Sequence, residues 1–135
     1  MAIAETPIVS VGIACPFDRA NAFLSDPANW PAWAAGLGSG LDRSADGRWI
    51  ARTPEGPAEV RFTPPNALGV LDHVVDFGRG REVRVPLRVV ANGDGCEVTL
   101  TLFRQPGMSD EQFDHDTKLV RQDLATLKTV LETRP

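Results

Sequence analysis

Cysteine is scarce in this sequence: Cys15 and Cys96 are the only two, and they stand far apart. A disulfide framework needs more thiols and a metal site needs them closely spaced, so neither organises the chain. They read as two half-buried thiols in a reducing compartment. Histidine is equally rare, with His73 and His115 alone. Two histidines and two distant cysteines form no ligand cluster, so metal catalysis has no foothold and no cofactor is expected. A nucleophilic triad is missing as well, because Cys15 has no histidine near it and its place before Pro16 suits a strand end. No apolar run approaches eighteen residues, so no helical membrane span is expected. The start, Met1-Ala2-Ile3-Ala4-Glu5, lacks the basic and then apolar stretch of a signal peptide, and a cytoplasmic location is expected. Positive charge is not in excess: 14 basic residues face 18 acidic ones, for a net charge of −4. Proteins that grip nucleic acid by its phosphates carry a basic field, so that partner class is disfavoured. Tyrosine is absent, which leaves Trp30, Trp33 and Trp49 as the aromatic groups with a polar edge.

What is present is an ordinary globular composition, 42% hydrophobic and 24% charged. Its 135 residues suit one domain, spanning 1–135. Turn signals punctuate the middle at short intervals: Ala45-Asp46-Gly47, Pro54-Glu55-Gly56, Pro64-Pro65-Asn66, Gly78-Arg79-Gly80 and Asn92-Gly93-Asp94-Gly95. Between them the residues alternate as half-buried strands do. Leu71, His73, Val75 and Phe77 share one face, against Asp72, Val74 and Asp76. Val83, Val85, Leu87 and Val89 oppose Glu82, Arg84, Pro86 and Arg88. Val98, Leu100 and Leu102 oppose Glu97, Thr99 and Thr101. Short turns between such segments imply an antiparallel meander with one wet and one dry face.

An earlier strand over 8–14 presents Val9, Val11 and Ile13 to the same dry side. Two short helical pieces follow, one led by Pro16 and one by Asp26-Pro27, a cap followed by a tolerated proline. Pro31 should shorten the second. The C-terminal segment predicts a long amphipathic helix over 110–132, roughly 34 Å in length. Ser109 and Gln112 have capping-box spacing, with Met108 and Phe113 placed as a hydrophobic staple. Its apolar stripe runs through Phe113, Val120, Leu124, Leu127 and Leu131. Only the dry face of the sheet is large enough to cover such a stripe.

The order of strand, two short helices, six strands and long helix resembles the helix-grip fold of the START and birch-allergen-like (SRPBCC) superfamily, which includes the polyketide cyclase and dehydrase families. The pieces that carry the resemblance are the strand and turn from Val9 to Phe17, the Asp26–Trp33 segment, Leu71-Asp72-His73-Val74 and the terminal helix. The resemblance implies an α+β domain, a seven-stranded curved antiparallel sheet around the helix, and a ligand cavity between them. A small apolar or amphipathic molecule is the implied partner. Its wall would draw on Val11, Phe62, Leu71, His73, Val75, Phe77, Val85, Leu87, Leu100, Phe113, Val120 and Leu124, with Trp33 and His73 giving orientation.

His73 is the one candidate for chemistry. A neutral imidazole on an apolar face can orient a carbonyl or hydroxyl, or pass a proton, in which case the protein is a cyclase or dehydratase. The alternative is a core histidine satisfied by a backbone carbonyl or a water, and no partner for chemistry is visible in the sequence. A filled core would instead make the domain a protein-interaction module. His115 and Asp116 sit at the helix start, as cavity-mouth groups or as solvated residues. Gly36-Leu37-Gly38-Ser39-Gly40 has the glycines of a phosphate loop but follows a helix and precedes a strand, which is the wrong context. Arg79, Arg81, Arg84 and Arg88 form a local basic set, either a receptor for an anion or a sheet face balanced by Glu82 and Glu97.

Overall fold

The computed structural model describes residues 3–35 and 40–133. Among them are eight strands and two α-helices, with a 3-10 helix over Pro27–Ala32. The strands are β1 (Ile8–Ile13), β2 (Leu41–Arg43), β3 (Trp49–Thr53), β4 (Gly56–Phe62), β5 (His73–Gly78), β6 (Arg81–Val85), β7 (Leu87–Asn92) and β8 (Gly95–Thr101). The helices are α1 (Phe17–Leu24) and α2 (Asp110–Thr133). The architecture is α+β with antiparallel pairing throughout, as the alternation and the short turns imply. The glycine-rich stretch from Gly36 lies outside the described residues, save Gly40.

One more strand is present than the turn signals mark, and the strands form two sheets. A three-stranded sheet runs β1-β8-β7 and a five-stranded sheet runs β2-β3-β4-β5-β6. The cause is Pro86, which divides what reads as one strand over 82–89. Proline has no N–H to give a ladder. Before it, β6 pairs with β5; after it, β7 pairs with β8. The Pro86 carbonyl accepts from Thr101 N–H at 3.0 Å, so the chain turns from one sheet into the other there without losing its acceptor. Asp72 supports the corner: its Oδ1 takes the Leu87 N–H at 3.0 Å, and its carboxylate pairs with Arg88 at 2.7 Å. The loop before β5 closes on β7 by Val89 N–H to Gly69 O at 2.9 Å. Gly69 has φ +75°, and a Cβ there would lie 2.1 Å from the Val89 carbonyl, so only glycine permits this approach.

Both expected caps form. Asp26 Oδ1 accepts from Ala28 N–H at 3.0 Å, and Ser109 Oγ accepts from Gln112 N–H at 3.1 Å. The reciprocal half of the Ser109 box is not made, because the Gln112 amide turns forward to Asp116 Oδ1 at 2.8 Å. Pro16 stands one place earlier than its sequence position suggests, as the N-cap residue of α1. At its far end α2 is tied to the end of β1, the residue after it and α1. Glu132 accepts from Ala14 N–H at 2.8 Å, Lys128 Nζ donates to Gly12 O at 3.0 Å, and Arg19 donates to the Leu131 carbonyl.

The core lies where α2 crosses the three-stranded sheet. Leu124, Leu127 and Leu131 are buried against Val9, Ile13, Val89 and Val98. Cys15 and Cys96 belong to this core and are fully buried rather than half-buried. Burial raises the Cys96 thiol pKa above its ordinary value, with neighbouring Cys15 adding to the effect.

Candidate functional site

Strand register arranges the inward side chains of the five-stranded sheet in rows. One row is Trp49, Val60, Val75 and Val83; the next is Phe62, His73 and Val85. Val60 and His73 are buried, while Trp49, Phe62, Val75, Phe77, Val83 and Val85 are only half-buried. The matching face of the three-stranded sheet is sealed: Leu87, Val89 and Val98 are 0–1% exposed. Apolar concave surface is therefore fully covered by α2 at one end of the molecule and partly uncovered at the other.

His73 stands at the border. Its Nδ1 lies 3.2 Å from the Leu71 carbonyl. A carbonyl can only accept, so Nδ1 carries the proton and Nε2 keeps its lone pair. The ring meets Trp30 edge-on at 4.8 Å and lies 6.0 Å from Phe62. Trp30 in turn contacts Phe62 at 4.9 Å and Trp33 at 5.0 Å, and its own indole N–H is satisfied by Leu24 O at 2.9 Å. Trp33 is also buried, and its Nε1 has no hydrogen-bond partner among the described residues. Desolvation lowers the His73 pKa from 6.5 to about 4; the Leu71 hydrogen bond and the Asp72 charge oppose this and do not overcome it. The imidazole is thus neutral at physiological pH, an acceptor at Nε2 and a weak base. Asp72, held below the usual carboxylate range chiefly by Arg88, sits on the outer face.

The expected wall residues separate into two groups. Leu71, Leu87, Leu100, Phe113 and Leu124 are buried in packed interior, while Val11, Phe62, Val75, Phe77, Val85 and Val120 are half-buried. The expected wall leaves out Trp30 and Trp49. Trp30 is the ring that joins His73 to Trp33, and Trp49 lies 6.5 Å from Phe62. His115 is exposed at the start of α2.

Among the described residues, three surface depressions are lined by the strands, their loops and the two short helices, without α2. One of about 260 Å³ includes His73 among its residues. Arg61, Val74 and Arg84 form one outward row there, and Thr63, Asp72 and Pro86 complete the rim. Alternation puts those side chains on the convex face, so the depression is floored by the backbone of the Phe62–His73–Val85 row and the imidazole points the other way. The convex face is laced by ion pairs. Arg61 joins Asp76 at 3.0 Å and Glu82 at 2.6 Å, and Arg88 joins Asp72, while on the concave side Arg81 lies over the Phe77 ring at 4.6 Å and joins Glu55 at 2.7 Å. Within the basic set, Arg81 and Arg88 meet Glu55 and Asp72 rather than the expected Glu82 and Glu97. No group of three or more His, Cys, Asp or Glu suited to a metal occurs among the described residues, and no helix there is long and apolar enough to cross a membrane.

No family model and no curated protein sequence matches the chain. Solved structures do. A START superfamily protein from Mycobacterium smegmatis superimposes with a TM-score of 0.71 at 13% identity, covering 94% of this chain and 97% of its own. Ara h 8.0201 gives 0.67 at 12% identity, covering 97% and 99%. DynU16, a protein in the dynemicin biosynthetic locus, gives 0.66 at 16% identity, covering 96% of this chain and 48% of its own. At such identities the likeness speaks for architecture, and with the element order above it establishes that this chain has the helix-grip fold of the START and birch-allergen-like superfamily.

Proposed function

We propose that the protein binds one small, mostly apolar molecule on the half-covered concave face, between the five-stranded sheet and α2. The observation that carries this reading is the contrast in burial along one continuous apolar face. Val75, Phe77, Val83 and Val85 keep accessible area while Leu87, Val89 and Val98 keep essentially none. Covering apolar area is worth about 25 cal/mol per Å², so a ligand that bridges these side chains gains from each of them. His73 supplies direction: its Nε2 lone pair would accept a hydrogen bond from a ligand hydroxyl or amide. The solved structures named above share this architecture, which supports a ligand site of this general kind.

The His73 pKa of about 4 favours orientation over proton transfer. A general base works best when its pKa lies near the working pH, and this imidazole falls well short of neutrality. The reading is therefore a binding protein rather than a cyclase or dehydratase. Titration with a panel of apolar molecules, followed by methyl NMR, tests it. The valine methyls of Val75, Val83 and Val85 should shift in a saturable way while Leu131 stays still. Shifts absent for every compound, or confined to the convex Val74, would contradict it.

A further inference from the structure

Charge is divided unequally between the two faces of the five-stranded sheet. Residues directly opposed in an antiparallel ladder share a face, so the register assigns each side chain. Asp42, Glu59, Asp76 and Glu82 all fall on the convex face. The inward positions of β2 to β6 hold no Asp or Glu among the described residues, but they hold two arginines. Arg81, beside Phe77, is neutralised by Glu55 from the turn between β3 and β4. Arg43 has no such partner.

Arg43 is opposed to Trp49 and so heads the row Trp49, Val60, Val75 and Val83. Its guanidinium stands 5.6 Å from the centre of the Trp49 ring. A cation–π contact of this kind steadies the head and leaves its charge intact. The acids nearest in sequence are engaged elsewhere, Asp42 with Arg52 and Asp46 with Arg48 at 2.8 Å. No carboxylate pairs with Arg43 among the described residues. Arg43 is exposed and Trp49 is half-buried. An uncompensated cation therefore stands at the β2 edge of the half-covered apolar face, joined to that face through an indole.

We propose that the ligand of this face is an amphipathic carboxylate, its acid held by Arg43 at the β2 edge and its apolar body laid over Trp49 toward Val75. The assignment rests on the proposed binding function and adds to it the charge of the ligand. A guanidinium offers two parallel N–H groups that match the two oxygens of a carboxylate. One unpaired positive charge complements one negative charge, which favours a carboxylate over a doubly charged phosphate ester. Neighbouring strands lie about 4.8 Å apart, so Val75, three strands from Arg43, is about 14 Å away across the sheet. A medium-chain acid and the arginine side chain span that distance together. The protein as a whole carries a net charge of −4 and repels anions at long range, so a preference for an anion has to come from local positive charge.

Calorimetric titration with octanoate and with 1-octanol at neutral pH separates charge from apolar contact. An apolar face without a cation favours the alcohol, because a carboxylate costs more to desolvate. The wild type should bind octanoate about fivefold or more tightly than octanol, and less so at high salt. Arg43 is exposed, so Arg43→Gln should fold with unchanged circular dichroism. That variant should lose the preference for the acid while its affinity for octanol is unchanged. Arg43→Lys, which keeps the charge without the fork, should retain part of the preference. Octanol bound by the wild type as tightly as octanoate, or a preference that survives in Arg43→Gln, would overturn the proposal and leave the binding function standing. Failure of both compounds to bind would overturn the two together.

Discussion

At the scale of the residue, His73 shows how burial sets a side chain's chemistry. It lies among Trp30, Phe62 and Val85 with one backbone acceptor, and desolvation dominates its titration. The folded pKa of about 4 is below the ordinary 6.5. As pH falls through 6.5 the unfolded chain takes up the proton and the folded chain does not. The stabilising preference for neutral imidazole is therefore complete above pH 6.5 and is lost progressively down to about 4, a change of about 3 kcal/mol. Urea unfolding across that window measures it. His73→Phe should flatten the loss, leaving the acid limb below pH 4 to carboxylates such as Asp72, whose pKa is depressed. Equal pH slopes in variant and wild type would contradict the assignment. Much of this was readable beforehand: alternation placed His73 inward, and its acceptor is two residues away. The contact with Trp30 was not readable, because 43 positions of chain separate the two and no local pattern encodes which ring meets which.

At the scale of the element, α2 was the clearest feature, since its cap and its apolar spacing agree. Its observed limits, Asp110–Thr133, differ from the expected ones by one residue. Leu124 sits at the centre of the stripe and is 1% exposed. Leu124→Ala should cost about 2–5 kcal/mol in chemical unfolding. A cost under about 1 kcal/mol would mean that the helix is not seated as described. The strand pattern was legible face by face: the residues expected on the dry side are more buried than their neighbours along β7 and β8. Pro86 was the exception. On period alone it counts as one more wet-face position, and only the exchange of hydrogen-bonding partners on its two sides reveals a corner between sheets.

At the scale of the whole molecule, architecture was legible and cavity shape was not. Element order, turn spacing and one long amphipathic helix leave few arrangements. How completely the helix covers the sheet depends on crossing geometry and on a few side-chain volumes. For that reason Leu87 and Leu124, expected in a ligand wall, lie instead in packed core, while Val83 and Trp49 come forward on the concave face. The division into a sealed half and a half-covered half is the basis of the proposed activity.

Native mass spectrometry of the purified protein, with extraction and identification of any companion molecule, tests that activity most directly. A one-to-one adduct with an apolar compound is expected, whether carried through purification or supplied from a panel. Protein that keeps its bare mass against every apolar compound offered would contradict it.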